Sequence, residues 1–435
     1  MRVGKSFHKF MLLWSGELIS AIGSGLTAFG LEIYVFQQTG KASATALVAL
    51  LAFMPGIFMA VFAGVLADRY DRRIMMILGD SLSAVGVLFI LICMFRGEAQ
   101  LWQICVGVTI SSLFSSLMEP SYKATVTDLL TEEEYTKASG LVQIAGSARF
   151  LIAPALAGLL LAVSDIKLLL MIDISTFLVT VTSTLVVRSG IAAKKYEQAK
   201  SIIHELKEGW KAVSDNRGIL ALIMMGSLIT FSLGFIQVLA VPMILAFSTK
   251  AIAGILESAV AMGMLVSSIL LGFLPVRKGY VKMLSISMFL DGIFMVGFGF
   301  REDLVLITIS GFLFFAMIPF ANACLDYLLR TNIDDALQGR AWAMIGVISQ
   351  LGQILAFSIA GVLADYVFTP LFIKGGFLAG SVGSIIGTGS GRGRGFLIMI
   401  AGVLLCITSF VLYNMKSIRN LEKKNEIYVL QRNPE

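Results

Sequence analysis

Seven ionisable side chains interrupt stretches that are otherwise apolar: Glu17, Glu32, Asp80, Arg149, Asp173, Glu257 and Asp291. If those stretches cross a bilayer, each such group costs at least about 2.5–3.5 kcal/mol at the centre and needs a partner, a wet cavity or a function. Carboxyls so placed can take up and release protons. A dry pocket favours the neutral acid, and a nearby cation favours the carboxylate. Arg149 cannot lose its proton, so it must be paired or hydrated. Glu17 or Glu32 is the expected counter-charge. Either the pair is permanent and fixes helix packing, or one carboxyl alternates between two environments and carries a proton.

Other chemistry finds no residues to perform it. The histidines are His8 and His204, both outside the apolar stretches. No Gly-x-Ser-x-Gly elbow, phosphate-binding loop or metal-ligand cluster is present, so neither an enzyme nor direct ATP coupling within this chain fits. Cys93, Cys105, Cys324 and Cys406 sit in apolar runs at unrelated spacings and form neither a metal pattern nor a disulfide framework.

The elements that must hold these groups follow from composition. Of 435 residues, 57% are hydrophobic and 14% charged, with a mean hydropathy of +0.86. A water-soluble domain is about 45–50% apolar and about 25% charged, so this chain lacks the polar coat of one. A membrane helix needs roughly 20 apolar residues. Twelve such segments are predicted: 10–36, 42–67, 74–95, 101–122, 138–163, 168–187, 218–246, 251–275, 283–300, 303–327, 341–367 and 395–415. The first is too long for a cleaved signal peptide and reads as a span that stays.

The polar break at 188–217 divides the spans six and six, giving an N-terminal half over 1–188, a linker over 189–217, a C-terminal half over 218–416 and a tail over 417–435. Within the linker, Ile202, Ile203, Leu206, Trp210 and Val213 share a helical face among lysines and glutamates, which predicts an interfacial amphipathic helix. With the N-terminus inside, Lys and Arg number 25 on the inner side and 8 on the outer, and Arg149 completes the 34. That bias places both termini in the cytoplasm. It also explains the basic pI near 9.1 without a nucleic-acid partner.

The halves echo each other. Pro120 with Leu129-Leu130 answers Pro319 with Leu328-Leu329, and spans 2, 5, 8 and 11 each end in a Gly-aliphatic-Leu or Gly-Phe-Leu step. Parallel halves built from three-helix repeats are a transporter signature.

Between spans 2 and 3 stands Gly64-Val65-Leu66-Ala67-Asp68-Arg69-Tyr70-Asp71-Arg72-Arg73. It resembles the loop 2–3 signature of the major facilitator superfamily, G-x-L-A-D-R-x-x-R-[KR], at every defined position. The resemblance implies an all-α fold of twelve transmembrane helices in two six-helix halves. It also implies a cytoplasmic gate built from Gly64, Asp68, Arg69, Arg72 and Arg73. The matching loop from Gly272 to Lys282 is degenerate, with Pro275 in it, so the latch is asymmetric.

Within the superfamily the chain resembles the bacterial macrolide-efflux-like drug:proton antiporters, from Trp14-Ser15-Gly16 onwards. Asp128-Leu129-Leu130, Ala138-Ser139-Gly140-Leu141, Ile172-Asp173, His204-Glu205-Leu206-Lys207-Glu208-Gly209 and Gly339-Arg340 carry the likeness. It implies a monomeric multi-pass protein of the bacterial cytoplasmic membrane that binds a hydrophobic small molecule and exports it in exchange for protons. Its energy would come from the proton motive force and no cofactor. The alternative is a dedicated exporter of one endogenous secondary metabolite or peptide-like product. The departures are Arg149 and the glycine-rich connection 368–395.

In that fold spans 1, 4, 7 and 10 line the cavity, spans 2, 5, 8 and 11 flank it, and spans 3, 6, 9 and 12 are peripheral. Asp80, Asp173 and Asp291 then read as structural, bonding serines or backbone. Glu32, Glu17, Arg149 and Glu257 become the proton-coupling candidates, with Glu32 preferred because it lies nearer the outer mouth. Ala153-Pro154-Ala155-Leu156-Ala157-Gly158 is a relaxed antiporter motif, expected to pack on span 11. Phe231, Phe235, Gln237, Met262, Met264, Phe314, Phe315, Met317 and Asn322 are expected to form an adaptable substrate wall.

Overall fold

A computed structural model describes residues 6–188, 202–274, 276, 278–334 and 337–422; the side chains of 60, 61, 63–65, 67–69, 132, 136, 188 and 202–206 are not described. Among the described residues every regular element is helical, and twelve helical segments are long and apolar enough to cross a membrane. In chain order these are Phe7–Thr39, Ala42–Met59, Arg72–Phe95, Leu101–Leu129, Lys137–Val163, Ile166–Val187, Arg217–Ile244, Lys250–Phe273, Tyr280–Phe300, Leu304–Arg330, Gln338–Phe372 and Ser390–Asn414. They are numbered here as spans 1 to 12; the helix of span 2 continues to Arg69.

Short polar residues start these helices. Ser6, Asp71, Asn216 and Asp303 each accept a backbone N–H of the first turn, Asp303 at 2.8 Å from Val305 N. A cap of this kind satisfies a donor the helix itself cannot. Gly40 ends span 1 in the left-handed conformation, with φ 68°, where a side chain would be strained. Span 5 restarts at Ala153, with Pro154 in the new first turn, because proline has no N–H to give the preceding turn.

Two compact units emerge, one of Met1–Ala199 with Ser248–Ser258, the other of Lys200–Phe247 with Ala259–Glu435. Both use the same internal pairings. In the first, span 3 packs on spans 4 and 6, and span 1 on spans 5 and 6; in the second, span 9 packs on spans 10 and 12, and span 7 on spans 11 and 12. The first core gathers Phe10, Leu13, Met76, Tyr122 and Leu129, and the second Leu222, Leu284, Leu328, Ile345 and Leu405.

Residues 189–201 of the linker lie outside the described residues. The amphipathic helix runs Ile202–Ser214, with Val213 fully buried and Trp210 half exposed. It rests on the start of span 11, where Glu208 pairs with Arg340.

The glycine-rich connection departs from its expected course. Span 11 continues through a π turn, Ala364–Phe368, into Thr369–Phe372, and span 12 begins at Ser390 rather than 395. Arg392 and Arg394, counted above as outer-loop charges, therefore lie in the first turns of span 12 and are 1% and 3% exposed.

Candidate functional site

Span 1 brings the charges of spans 5 and 6 together. A Cβ at Gly23 would lie 3.1 Å from Asp173 Oδ1, and one at Gly25 would lie 2.8 Å from the Arg149 carbonyl oxygen and 3.2 Å from its Cγ. Two glycines two residues apart thus admit Asp173 and Arg149 to one level of the helix. Asp173 is the carboxylate whose charge acts on Arg149, and it accepts a hydrogen bond from Ser24 Oγ at 3.3 Å. This corrects the expected partner. Glu17 and Glu32 sit about two turns away in opposite directions along span 1, each turn rising about 5.4 Å.

Those two glutamates have other neighbours. Glu32 of span 1 lies within electrostatic reach of Glu257 of span 8. Glu17 lies within electrostatic reach of Glu119 and Tyr122 of span 4 and Asp80 of span 3. A buried carboxyl oxygen on each of Glu17, Glu32, Asp80 and Glu257 has no hydrogen-bond partner among the described residues. Native proteins satisfy nearly all buried polar atoms, so exceptions point to function or to an unseen water or ion. Asp291 of span 9 is 1% exposed, and neither of its oxygens has a hydrogen-bond partner among the described residues. Among the described residues the serine or backbone bonds expected for Asp291 are not formed, while Asp173 is bonded by Ser24 as expected and also acts on Arg149.

The antiporter-like stretch, expected to meet span 11, packs within its own unit on the first turns of span 8. Ala155 N donates to Ser258 Oγ at 3.0 Å, a Cβ at Gly158 would lie 2.7 Å from the Lys250 carbonyl oxygen, and Gly254 abuts the Pro154 carbonyl. Small residues on both helices make the approach possible, and Ser258 carries its neighbour Glu257 into the site.

Of the expected gate, the side chains of Gly64, Asp68 and Arg69 lie outside what the structure describes. Arg72 Nη1 reaches Asp128 Oδ2 at 3.0 Å and the Ala124 carbonyl oxygen at 3.2 Å, tying the loop to the end of span 4. Arg73 is buried.

The expected substrate wall lies in the second unit. Phe231 and Phe235 are adjacent rings at 4.8 Å, and Phe314 meets Phe315 edge-on at 5.4 Å. Phe235 and Phe314 are 3% and 1% exposed, so they back this surface instead of forming it; aromatic bulk at mid-helix is claimed by packing. Gln237 accepts from Gln353 Nε2 at 2.7 Å. Phe315, Met317 and Phe231 are half-buried, and Met262, Met264 and Asn322 are exposed.

Two features escaped the sequence. A cavity of about 320 Å³ in the first unit is lined by Tyr34, Gln37, Glu98, Asp165, Lys167 and Lys250. In the second unit, Arg392 donates to the carbonyls of Ile386 and Gly299 and pairs with Glu302 at 3.4 Å, while Arg394 donates to the Pro242 carbonyl and pairs with Asp365 at 3.7 Å. Alternating Gly and Arg reads as loop, which concealed both arginines.

Twelve apolar helices carrying charged groups at mid-span define a polytopic membrane protein of the transporter kind. Residues 13–357 match the Major Facilitator Superfamily, and the chain belongs to that family of membrane transporters. It is similar to macrolide efflux protein A of Streptococcus pyogenes, 26% identical over 368 residues, covering 82% of this chain and 89% of that one. It is also similar to macrolide efflux protein A of Enterococcus faecalis, 27% identical over 315 residues, covering 70% and 96%. Among solved structures the nucleoside transporter NupG shares the fold, with a TM-score of 0.74 at 14% identity over 94% of this chain and all of that one.

Proposed function

We propose that this chain is a proton-driven exporter of hydrophobic or amphipathic small molecules, macrolides among them, working by alternating access and not as an enzyme. It would act as a monomer in the bacterial cytoplasmic membrane with both termini inside. The similarity to two macrolide efflux proteins supports the substrate class. The observation that carries the coupling is the pair Glu32 and Glu257, within electrostatic reach of each other and each with a buried oxygen that has no hydrogen-bond partner among the described residues. Two carboxylates held together resist double ionisation, so such a pair holds a proton that it can exchange. Arg149 beside Asp173 supplies a fixed positive charge against which the proton load is balanced.

The test is uptake of radiolabelled erythromycin into inverted membrane vesicles under an imposed pH gradient, interior acid. Wild-type vesicles accumulate the macrolide and release it when the gradient is collapsed. Glu32→Gln and Glu257→Gln lose at least ten-fold of this accumulation. No gradient-dependent uptake by wild type would remove the proton-driven macrolide reading, and full uptake by both variants would remove the pair from it. A reporter fused after Glu435 and active only outside the cell would reverse the topology.

A further inference from the structure

Glu422, in the segment that follows span 12, has no part in the reading so far. The chain does not leave the bundle at Asn414. Residues 416–422 form a further short helical stretch, in which Ile418 is fully buried and Leu421 is 5% exposed, both within the core of the second unit. A Cβ at Gly218, in the first turn of span 7, would lie 2.8 Å from the Ser417 carbonyl oxygen and 2.9 Å from Leu421 Cδ1. Glu422 then sets its carboxylate on the start of span 9: Oε1 accepts from Tyr280 N at 2.5 Å and Oε2 from Val281 N at 3.4 Å. Tyr280 in turn stacks on Tyr327 near the end of span 10, with ring centroids 3.6 Å apart and planes within 9° of parallel. The starts of spans 7 and 9 and the ends of spans 10 and 12 are thus joined through the tail.

Spans 3 and 9 hold equivalent places in their units but begin differently. Span 3 is preceded by Asp71, whose side chain accepts from Arg73 N at 3.0 Å, so its cap belongs to its own loop. Span 9 is preceded by Gly279, with φ 72°, which has no side chain to cap with, and its first turn holds no acidic residue. The loop Gly272–Lys282 carries no carboxylate at all. The first N–H groups of a helix have no partner inside it, and negative charge is favoured beside them. Glu422 meets both needs from 142 residues away. A cap from the same loop travels with its helix, whereas a cap from the tail ties the helix to the tail. We propose that Glu422 is a positioning residue for transport: it supplies the acidic group that the loop before span 9 lacks, and straps spans 7, 9, 10 and 12 so that this end of the second unit changes state as one body. The strap rests on the transport reading above and adds the tail to the moving parts.

The experiment compares Glu422→Ala and Glu422→Gln with wild type in the full-length chain by two measurements. Amide hydrogen exchange reads the hold on the first turn of span 9, and erythromycin uptake, taken well below Tm and scaled to folded carrier, reads transport. Glu422→Ala is expected to speed exchange at the start of span 9 at least ten-fold, leave spans 1 to 6 unchanged, and cut the maximal uptake rate at least five-fold with KM within two-fold of wild type. Glu422→Gln, which keeps one acceptor oxygen, is expected to recover at least half of that rate. Unchanged exchange in Glu422→Ala overturns the strap. Faster exchange with uptake within two-fold of wild type reduces Glu422 to a helix cap and overturns it equally. Equal loss in Glu422→Gln would assign the effect to the missing charge and overturn the strap as well. Should Glu422→Ala yield no folded carrier, Leu421→Ala keeps the carboxylate but loosens its seat, and wild-type exchange and uptake in that variant overturn the proposal. Absence of erythromycin uptake by wild type would strike the macrolide reading instead, with the exchange measurement still standing.

Discussion

Gly254 of span 8 lies directly on the carbonyl group of Pro154 in span 5, with no room for a side chain between the two helices. Proline leaves a break in its own helix, and glycine on the neighbour fills the space that break creates. The contact places Ser258, and with it Glu257, beside span 5.

Gly254→Val should therefore separate the helices. Macrolide uptake should fall at least ten-fold, with the detergent-solubilised protein losing several degrees in Tm. Gly272→Val, on the same helix with nothing within 4 Å of an added Cβ, should leave both unchanged. Equal behaviour of the two variants would show that the close approach is dispensable.

Arg149 and Asp173 should be coupled energetically. Removing one charge of a buried pair strands the other, so Arg149→Gln and Asp173→Asn should each destabilise more than the double variant does. Neighbouring charges typically show an interaction on the order of 1 kcal/mol in such a cycle. Thermal melts of the three variants measure it. The same cycle run between Arg149 and Glu32 should give a value near zero, and a large one there would restore the pairing expected from sequence.

The spans were legible because apolar length is a one-dimensional property, and observed helix ends fall within a few residues of those read from composition, apart from spans 4, 11 and 12. Side-chain partners were not legible in that way. Which carboxyl meets Arg149 depends on the rotation of spans 1, 5 and 6 about their axes, and that is set by where Gly23 and Gly25 permit contact. Hydropathy alone carries no such information. Arg392 and Arg394 were hidden for a related reason: glycine is a poor helix former, so Ser390-Gly391-Arg392-Gly393-Arg394-Gly395 reads as loop although packing makes it helix. Glu17 and Glu32 were singled out by residue type and depth in the span, which a sequence does carry.

Asp365→Asn should expose the dependence of span 12 on its partners. The side chains of Arg394 and Asp365 are 4% and 8% exposed, and leaving one member of so buried a pair costs roughly 3–5 kcal/mol. Asp365→Asn should accordingly lower Tm strongly. Adding Arg394→Met should recover most of the loss, because no charge is then stranded.

Arg72→Gln should act on turnover more than on stability. Its ion pair with Asp128 is partly exposed, and such pairs contribute about 0–1 kcal/mol. If the loop latches one state, the initial rate of macrolide uptake falls several-fold in Arg72→Gln and again in Asp128→Asn, with Tm within two degrees of wild type. Unchanged rates in both variants would reduce the loop to a topological anchor.

The buried arginines of span 12 also bear on the order in which the protein can be built. The acceptors named above lie earlier in the chain: Pro242, Gly299, Glu302, Asp365 and Ile386 have all left the ribosome before Arg392 and Arg394 emerge. A helix that opens with two guanidinium groups enters hydrocarbon poorly by itself. Span 12 is thus the segment whose insertion depends on spans 7, 9 and 11 being already assembled. A nascent chain in which one of those three spans is misplaced would leave it stranded at the bilayer surface, so the last helix works as a biogenesis checkpoint on spans 7, 9 and 11.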